Sequence, residues 1–172
     1  MRLPDRPFPL GHVDRGDAKD RRREPEADNG GDLLAEQDNT QKHPDTGPKD
    51  PALRKARVCY NHLAGELGVR LLDSLSTRGL VIEDGDILDL TGSGEAFVTG
   101  FGIDMDGLKT SRRPLCKSCL DWSARRSHLA GSLGTAFLQR FYEQGWAKRE
   151  DGTRVVRFTK RGEAEFLEHF PA

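Results

Sequence analysis

A chain of 172 residues with 35% hydrophobic and 32% charged residues and a formal net charge of −1 has room for one ordinary domain or two very small ones. Its near-zero charge excludes a uniformly basic nucleic-acid binder, so any DNA contact must come from local patches. No run is apolar enough to cross a membrane, and the start, Met1 to Pro9, lacks the apolar stretch of a secretion signal. The expected compartment is the cytoplasm, where Cys59, Cys116 and Cys119 should be reduced thiols. Their odd number also argues against a disulfide framework.

Residues 1–50 carry 9 Lys/Arg against 12 Asp/Glu and a single aromatic, Phe8. Such a segment cannot bury enough apolar surface to offset the entropy of ordering it, and a disordered tail is expected. From Pro51 to Arg78, Leu63, Leu67, Leu71, Leu72 and Leu75 fall at helical spacing, with Gly79 where a helix would end. Leu80–Glu83 and Ile87–Leu90 read as strands joined across Asp84-Gly85, a hairpin signal. Thr91 then caps a short helix over Gly92–Phe101.

Pro114 suits the first turn of a second long helix, expected over Leu115–Gln144, with Leu120, Leu129, Leu133, Phe137, Leu138 and Phe141 available to the core. Gly145 ends it. A second hairpin follows, Trp146–Arg149 and Thr153–Phe158 across Asp151-Gly152, and then a final helix over Lys160–Phe170.

These elements come in two copies. His62-Leu63-Ala64-Gly65-Glu66-Leu67-Gly68 returns as His128-Leu129-Ala130-Gly131-Ser132-Leu133-Gly134, and Thr91-x-x-Gly94-Glu95-Ala96 as Thr159-x-x-Gly162-Glu163-Ala164. A repeat of this size implies two copies of one supersecondary unit packed together. The expected fold is α+β and mostly helical: two pseudo-repeated winged-helix-like units, residues 51–108 and 109–172, sharing one core behind the tail.

The segments Ala56-Arg57-Val58-Cys59-Tyr60-Asn61-His62-Leu63-Ala64-Gly65 and Cys116-Lys117-Ser118-Cys119-Leu120-Asp121-Trp122-Ser123-x-Arg125-Arg126-x-His128-Leu129-Ala130-Gly131 resemble the C-terminal half of a subgroup of ArsR-type winged-helix transcriptional regulators. The resemblance spans about residues 52–170. It implies a regulator that binds DNA as a homodimer, with this half supplying effector sensing, scaffold or dimer contacts. An N-terminal winged-helix domain normally precedes this half, whereas residues 1–50 contain no helix-turn-helix sequence. The expectation is a regulator without its usual reader, either a fragment or a chain with a misplaced start. Ten residues separate Gly68 from Gly79, and ten separate Gly134 from Gly145. That is short of a turn plus a recognition helix by roughly one and a half to two helical turns, so both copies read as degenerate winged helices.

Cys116-x-x-Cys119 and Cys59-x-x-His62, each placed on one helix face by the expected helices, offer a Cys3His set with His128 as a substitute. Thiolate and imidazole ligands in such pairs suit tetrahedral zinc, the one cofactor the sequence suggests. Structural burial of the same side chains and a redox switch remain open beside it. Arg125, Arg126, Arg154, Arg157, Lys160 and Arg161 are candidate phosphate contacts, with Arg112, Arg113, Lys148 and Arg149 nearby. Pairing with local carboxylates is the bland alternative. The first hairpin is instead acidic, with Glu83, Asp84, Asp86 and Asp89. Trp122, Tyr142 and Trp146 read as core, or as a ligand pocket between the units. Asp121 is placed to orient a His or Arg. No nucleophile elbow, phosphate-binding glycine loop or HExxH sequence points to an enzyme. The rivals to a regulator are a metal- or ligand-sensing, zinc-stapled module without DNA contact, and a plain dimerisation fragment.

Overall fold

Short β-prone runs alternate with glycine-punctuated helices. In the computed structural model, which describes residues 47–85 and 87–172, they form four antiparallel hairpins joined by helices. Most of the expected tail, residues 1–46, and Asp86 of the acidic hairpin lie outside the described residues. Asp50 caps the first helix, α1 (Pro51–Lys55), its carboxylate accepting the Ala52 N–H at 2.9 Å, with proline at the first helical position.

Two strands follow, β1 (Arg57–Cys59) and β2 (His62–Ala64), paired across Tyr60 and Asn61. Then come α2 (Glu66–Thr77), the hairpin β3 (Val81–Asp84) and β4 (Ile87–Leu90), α3 (Gly92–Gly100) and a short α4 (Met105–Lys109). The order then recurs: β5 (Lys117–Asp121) and β6 (Arg126–Ala130), α5 (Gly131–Glu143), β7 (Ala147–Arg149) and β8 (Val156–Phe158), and α6 (Lys160–His169). Among the described residues eight short strands accompany six helices, and each of the two long helices expected is divided by a hairpin or preceded by one.

The difference has one source. The expected helix over residues 51–78 contains α1, the β1–β2 hairpin and α2, and the one over residues 115–144 contains β5, β6 and α5. Leu63 and Leu129 do share a buried face with the helical leucines, but from the strands that precede α2 and α5. Pro114 starts no helix; its carbonyl accepts the Ser132 N–H at 3.0 Å at the head of α5. Two devices force the chain out of the helix. Asp121 Oδ1 accepts the backbone N–H groups of Ser123 and Ala124 at 2.9 and 3.0 Å, an Asx turn that folds β5 back onto β6. Gly65 and Gly131 both sit at φ 85°, a left-handed conformation that breaks the strand and opens the helix.

The repeated glycines have a packing cause as well. A Cβ on Gly68 would lie 2.5 Å from the Leu63 carbonyl oxygen, and one on Gly134 would meet the Leu129 carbonyl oxygen as closely. Each helix thus rests on the strand before it through a bare backbone. The buried residues of α2, Leu67, Leu71, Leu72 and Leu75, have the same spacing as Leu133, Phe137, Leu138 and Phe141 of α5. The second hairpins and their helices repeat too: Thr91 and Thr159 are N-caps, accepting the N–H groups of Gly94 and Gly162 at 3.0 and 2.9 Å.

The two copies interlock. Helix α2 packs against β6 of the second copy, and α5 against β2 of the first. One continuous core results, running from Leu63, Leu71, Leu72 and Leu75 to Leu129, Phe137, Phe141 and Phe170. Each such fully buried side chain contributes about 1.5–3 kcal/mol relative to exposure. The first copy also bonds to the β7–β8 end of the second: Val58 N–H donates to Arg154 O at 2.8 Å, and Val156 N–H to Ala56 O at 3.0 Å.

Candidate metal centre

The β1–β2 hairpin sets Cys59 directly opposite His62, and the β5–β6 hairpin sets Cys119 directly opposite His128. Cross-strand partners hold their Cβ atoms about 4.5–5.5 Å apart, close enough for two side chains to meet one small group. Interlocking then brings the hairpins together. His62 and His128, 4% and 1% exposed, point their Nε2 atoms at each other at 3.1 Å, with ring centroids 5.0 Å apart. The ligating atoms of Cys59, His62, Cys119 and His128 all lie within 4.8 Å of one another. The thiols are half-buried. A cleft of about 280 Å³, lined in part by Tyr60, Asn61, Arg113, Lys117 and Cys119, opens beside them.

Four of the five candidate ligands thus converge, but not by the expected route. Cys59 and His62 flank a turn and do not share a helix face. Cys116 is left out of the group: it precedes β5, which begins at Lys117, whereas Cys119 lies inside the strand, paired with His128. Cys116 packs partly against the core instead. The start of β5 and its register on β6, which a helical reading cannot supply, separate Cys119 from Cys116.

Electrostatics follow from burial. Burial, then the Arg113 guanidinium, brings His62 down to about 4; burial and then His62 bring His128 to about 4 against the opposing pull of Asp121. Both imidazoles are neutral at neutral pH and keep a lone pair. Burial, then Cys59, pushes the Cys119 thiol up to about 11, and burial, then Asp89, pushes Cys116 up to about 11.

Asp121 is the buried anchor of the site. Burial alone would raise its carboxyl, but hydrogen bonds from Ser123, the Gly65 and Ala124 N–H groups and Arg57 hold it well below the usual carboxylate range. Arg57 donates to both carboxylate oxygens, at 2.9 and 2.8 Å, and the Gly65 N–H donates at 2.7 Å. The same carboxylate lies 3.7 Å from His128 Nδ1, a buried nitrogen with no hydrogen-bond partner. Asp121 therefore faces both an arginine and a histidine, and the arginine, Arg57, belongs to the other copy. Sequence reasoning missed Arg57, although Arg57 and Lys117 hold equivalent register positions, opposite Ala64 and Ala130.

The aromatic trio does not assemble. Trp146 and Tyr142 pack in or against the core, whereas Trp122, at the β5–β6 turn, is 75% exposed. Of the basic candidates, Arg126 pairs with Asp73 at 2.7 Å, Arg157 with Glu150 and Arg161 with Glu165 at 3.5 Å. Arg125 holds a left-handed turn position at φ 51°, and Arg154 and Lys160 are exposed beside the second hairpin.

Over 117 residues the chain is 38% identical to the uncharacterized HTH-type transcriptional regulator YdfF of Bacillus subtilis (strain 168). The chain's likeness is to a helix-turn-helix regulator. The matched region is 68% of this chain and 52% of that protein, so the chain spans about half the length of the curated relative it matches. No profile of a described family matches the chain, and neither does any solved structure. Among the described residues no helix is long and apolar enough to cross a membrane.

Proposed function

We propose that this protein is a cytoplasmic transcriptional regulator of ArsR type that acts on DNA as a homodimer, with its two copies forming reduced winged-helix units. The likeness to the B. subtilis regulator over two-thirds of the chain carries the reading. The repeated order of hairpin, helix, hairpin and Thr-capped helix supports it. Exposed Arg154 and Lys160 beside the β7–β8 hairpin offer phosphate contacts that the acidic β3–β4 hairpin does not. The test is fluorescence anisotropy of the full chain on mixed-sequence and promoter-derived duplexes across a salt series. Affinity should fall steeply with salt, and Arg154→Ala and Lys160→Ala should each lower the salt slope by about 1. No binding at low salt removes direct DNA contact by this chain.

One observation favours a second reading. The helices that precede the second hairpins, α2 and α5, bury their faces against the opposite copy. Neither is free to lie in a groove. A sensing or dimerisation module that reaches DNA only through a partner domain fits that packing. A stable dimer in sedimentation that shifts no duplex would select it.

A further inference from the structure

We propose that the Cys59, His62, Cys119 and His128 side chains hold one tetrahedral zinc ion at the junction of the two copies, a closed Cys2His2 site that staples the β1–β2 hairpin to the β5–β6 hairpin. The inference stands apart from the DNA-binding reading; a chain that binds no DNA but holds zinc keeps it.

The geometry is that of a single ion. Zinc–nitrogen bonds of about 2.0–2.1 Å in a tetrahedron put two nitrogens roughly 3.3 Å apart, and the two Nε2 atoms lie 3.1 Å apart. No two of the four donor atoms are farther apart than 4.8 Å. A two-iron cluster with its thiolates on one iron and its imidazoles on the other would hold the two pairs apart across the cluster. Two thiolates and two imidazoles are the donor set that selects zinc among divalent ions by softness and shape.

Charge balances as well. On binding, the two thiols release two protons to solvent, and two thiolates with two neutral imidazoles leave a zinc centre of zero net charge. A neutral centre suits a site whose histidines are almost fully buried, where an uncompensated charge is costly. Ligation through Nε2 leaves the proton on Nδ1, and the partnerless His128 Nδ1 faces the Asp121 carboxylate, the arrangement by which a carboxylate orients a zinc-bound histidine. The copies also brace each other's ligand. A Cβ on Gly68 of α2 would come within 3.6 Å of the His128 Cβ, and one on Gly134 of α5 within 3.3 Å of the His62 Cβ.

The experiment uses the full chain, purified under reducing conditions, reconstituted with zinc and desalted. Mass-spectrometric metal analysis should find about one zinc per chain. Cobalt(II) exchanged into the site should show the visible bands of a tetrahedral ion together with thiolate charge transfer. Cys59→Ser and Cys119→Ser should lose the metal, and Cys116→Ser should keep it. Should the first two variants precipitate, alkylation of the wild-type chain decides: zinc should shield Cys59 and Cys119, and a chelator should expose both. A zinc-free chain after reconstitution leaves only two hydrogen-bonded histidines and overturns the proposal. So do an iron–sulfur chromophore, a Cys59–Cys119 disulfide that persists in reductant, and metal loss in a folded Cys116→Ser chain.

Discussion

The two copies of the repeat agree in backbone and disagree in what surrounds it. In the first, Tyr60 and Asn61 alone join Cys59 to His62; in the second, the eight residues Leu120–Ser127 join Cys119 to His128. The first copy buries leucines along α2, the second phenylalanines along α5, whose Phe141 ring contacts Trp146, Phe166 and Phe170. Identical in both are the residues that strand and helix geometry demands and the cysteine–histidine pair of the first hairpin. The longer turn carries the difference that matters most, because its Asp121 neutralises Arg57 and caps the Gly65 N–H of the other copy. The second copy thus supplies an electrostatic anchor to the first, and no carboxylate in the two-residue turn of the first answers it.

That asymmetry yields the largest expected effect. Asp121→Ala strands the buried Arg57 guanidinium and should cost about 3–5 kcal/mol in urea unfolding. Replacing Arg57 by Met as well should recover part of that loss, since the isolated charge is then gone. A cost below about 1 kcal/mol for the single change would mean that the copies do not depend on this anchor.

A smaller effect should be symmetric. Alanine is favoured over glycine by about 1 kcal/mol in a helix interior, yet Gly68→Ala and Gly134→Ala drive a Cβ into the carbonyl of the preceding strand. Each should destabilise by about 1–3 kcal/mol, as a lowered urea midpoint at unchanged slope. Stabilisation by either would break the equivalence of the two helix–strand contacts.

The second hairpins and their caps were the legible part of the fold. Asp84-Gly85 and Asp151-Gly152 are turn chemistry, and Thr91 and Thr159 stand three residues before the glycines they cap, so local signals suffice. The first hairpins were not legible. Three-residue strands such as β1 and β2 are too short to show a period of two, and Leu63 happens to fall four residues before Leu67, as a helix would place it. Asp121 followed by Ser123 was the available turn signal. For the same reason the sequence could nominate five ligands but not choose among them: Cys116 and Cys119 are told apart by where β5 begins and how it pairs, and the meeting of His62 with His128 requires the interlock of two hairpins 66 positions apart.

The caps sharpen the comparison further. Thr91→Ala and Thr159→Ala should each cost about 1 kcal/mol and by similar amounts, because both hydroxyls accept from an equivalent glycine N–H. The smallest effect belongs to the surface. Arg126→Ala breaks the pair with Asp73, whose arginine side chain is 62% exposed, and should change stability by less than about 1 kcal/mol. Thermal melts at low and high salt would check it, since a screened surface pair loses its contribution as salt rises.

The most direct test of the account is X-ray absorption at the zinc edge of the full chain. Two copies meeting through equivalent hairpins predict two sulfurs at about 2.3 Å and two nitrogens at about 2.0–2.1 Å around one ion. A shell of three sulfurs, which would recruit Cys116, or a shell of oxygen and nitrogen alone would contradict it.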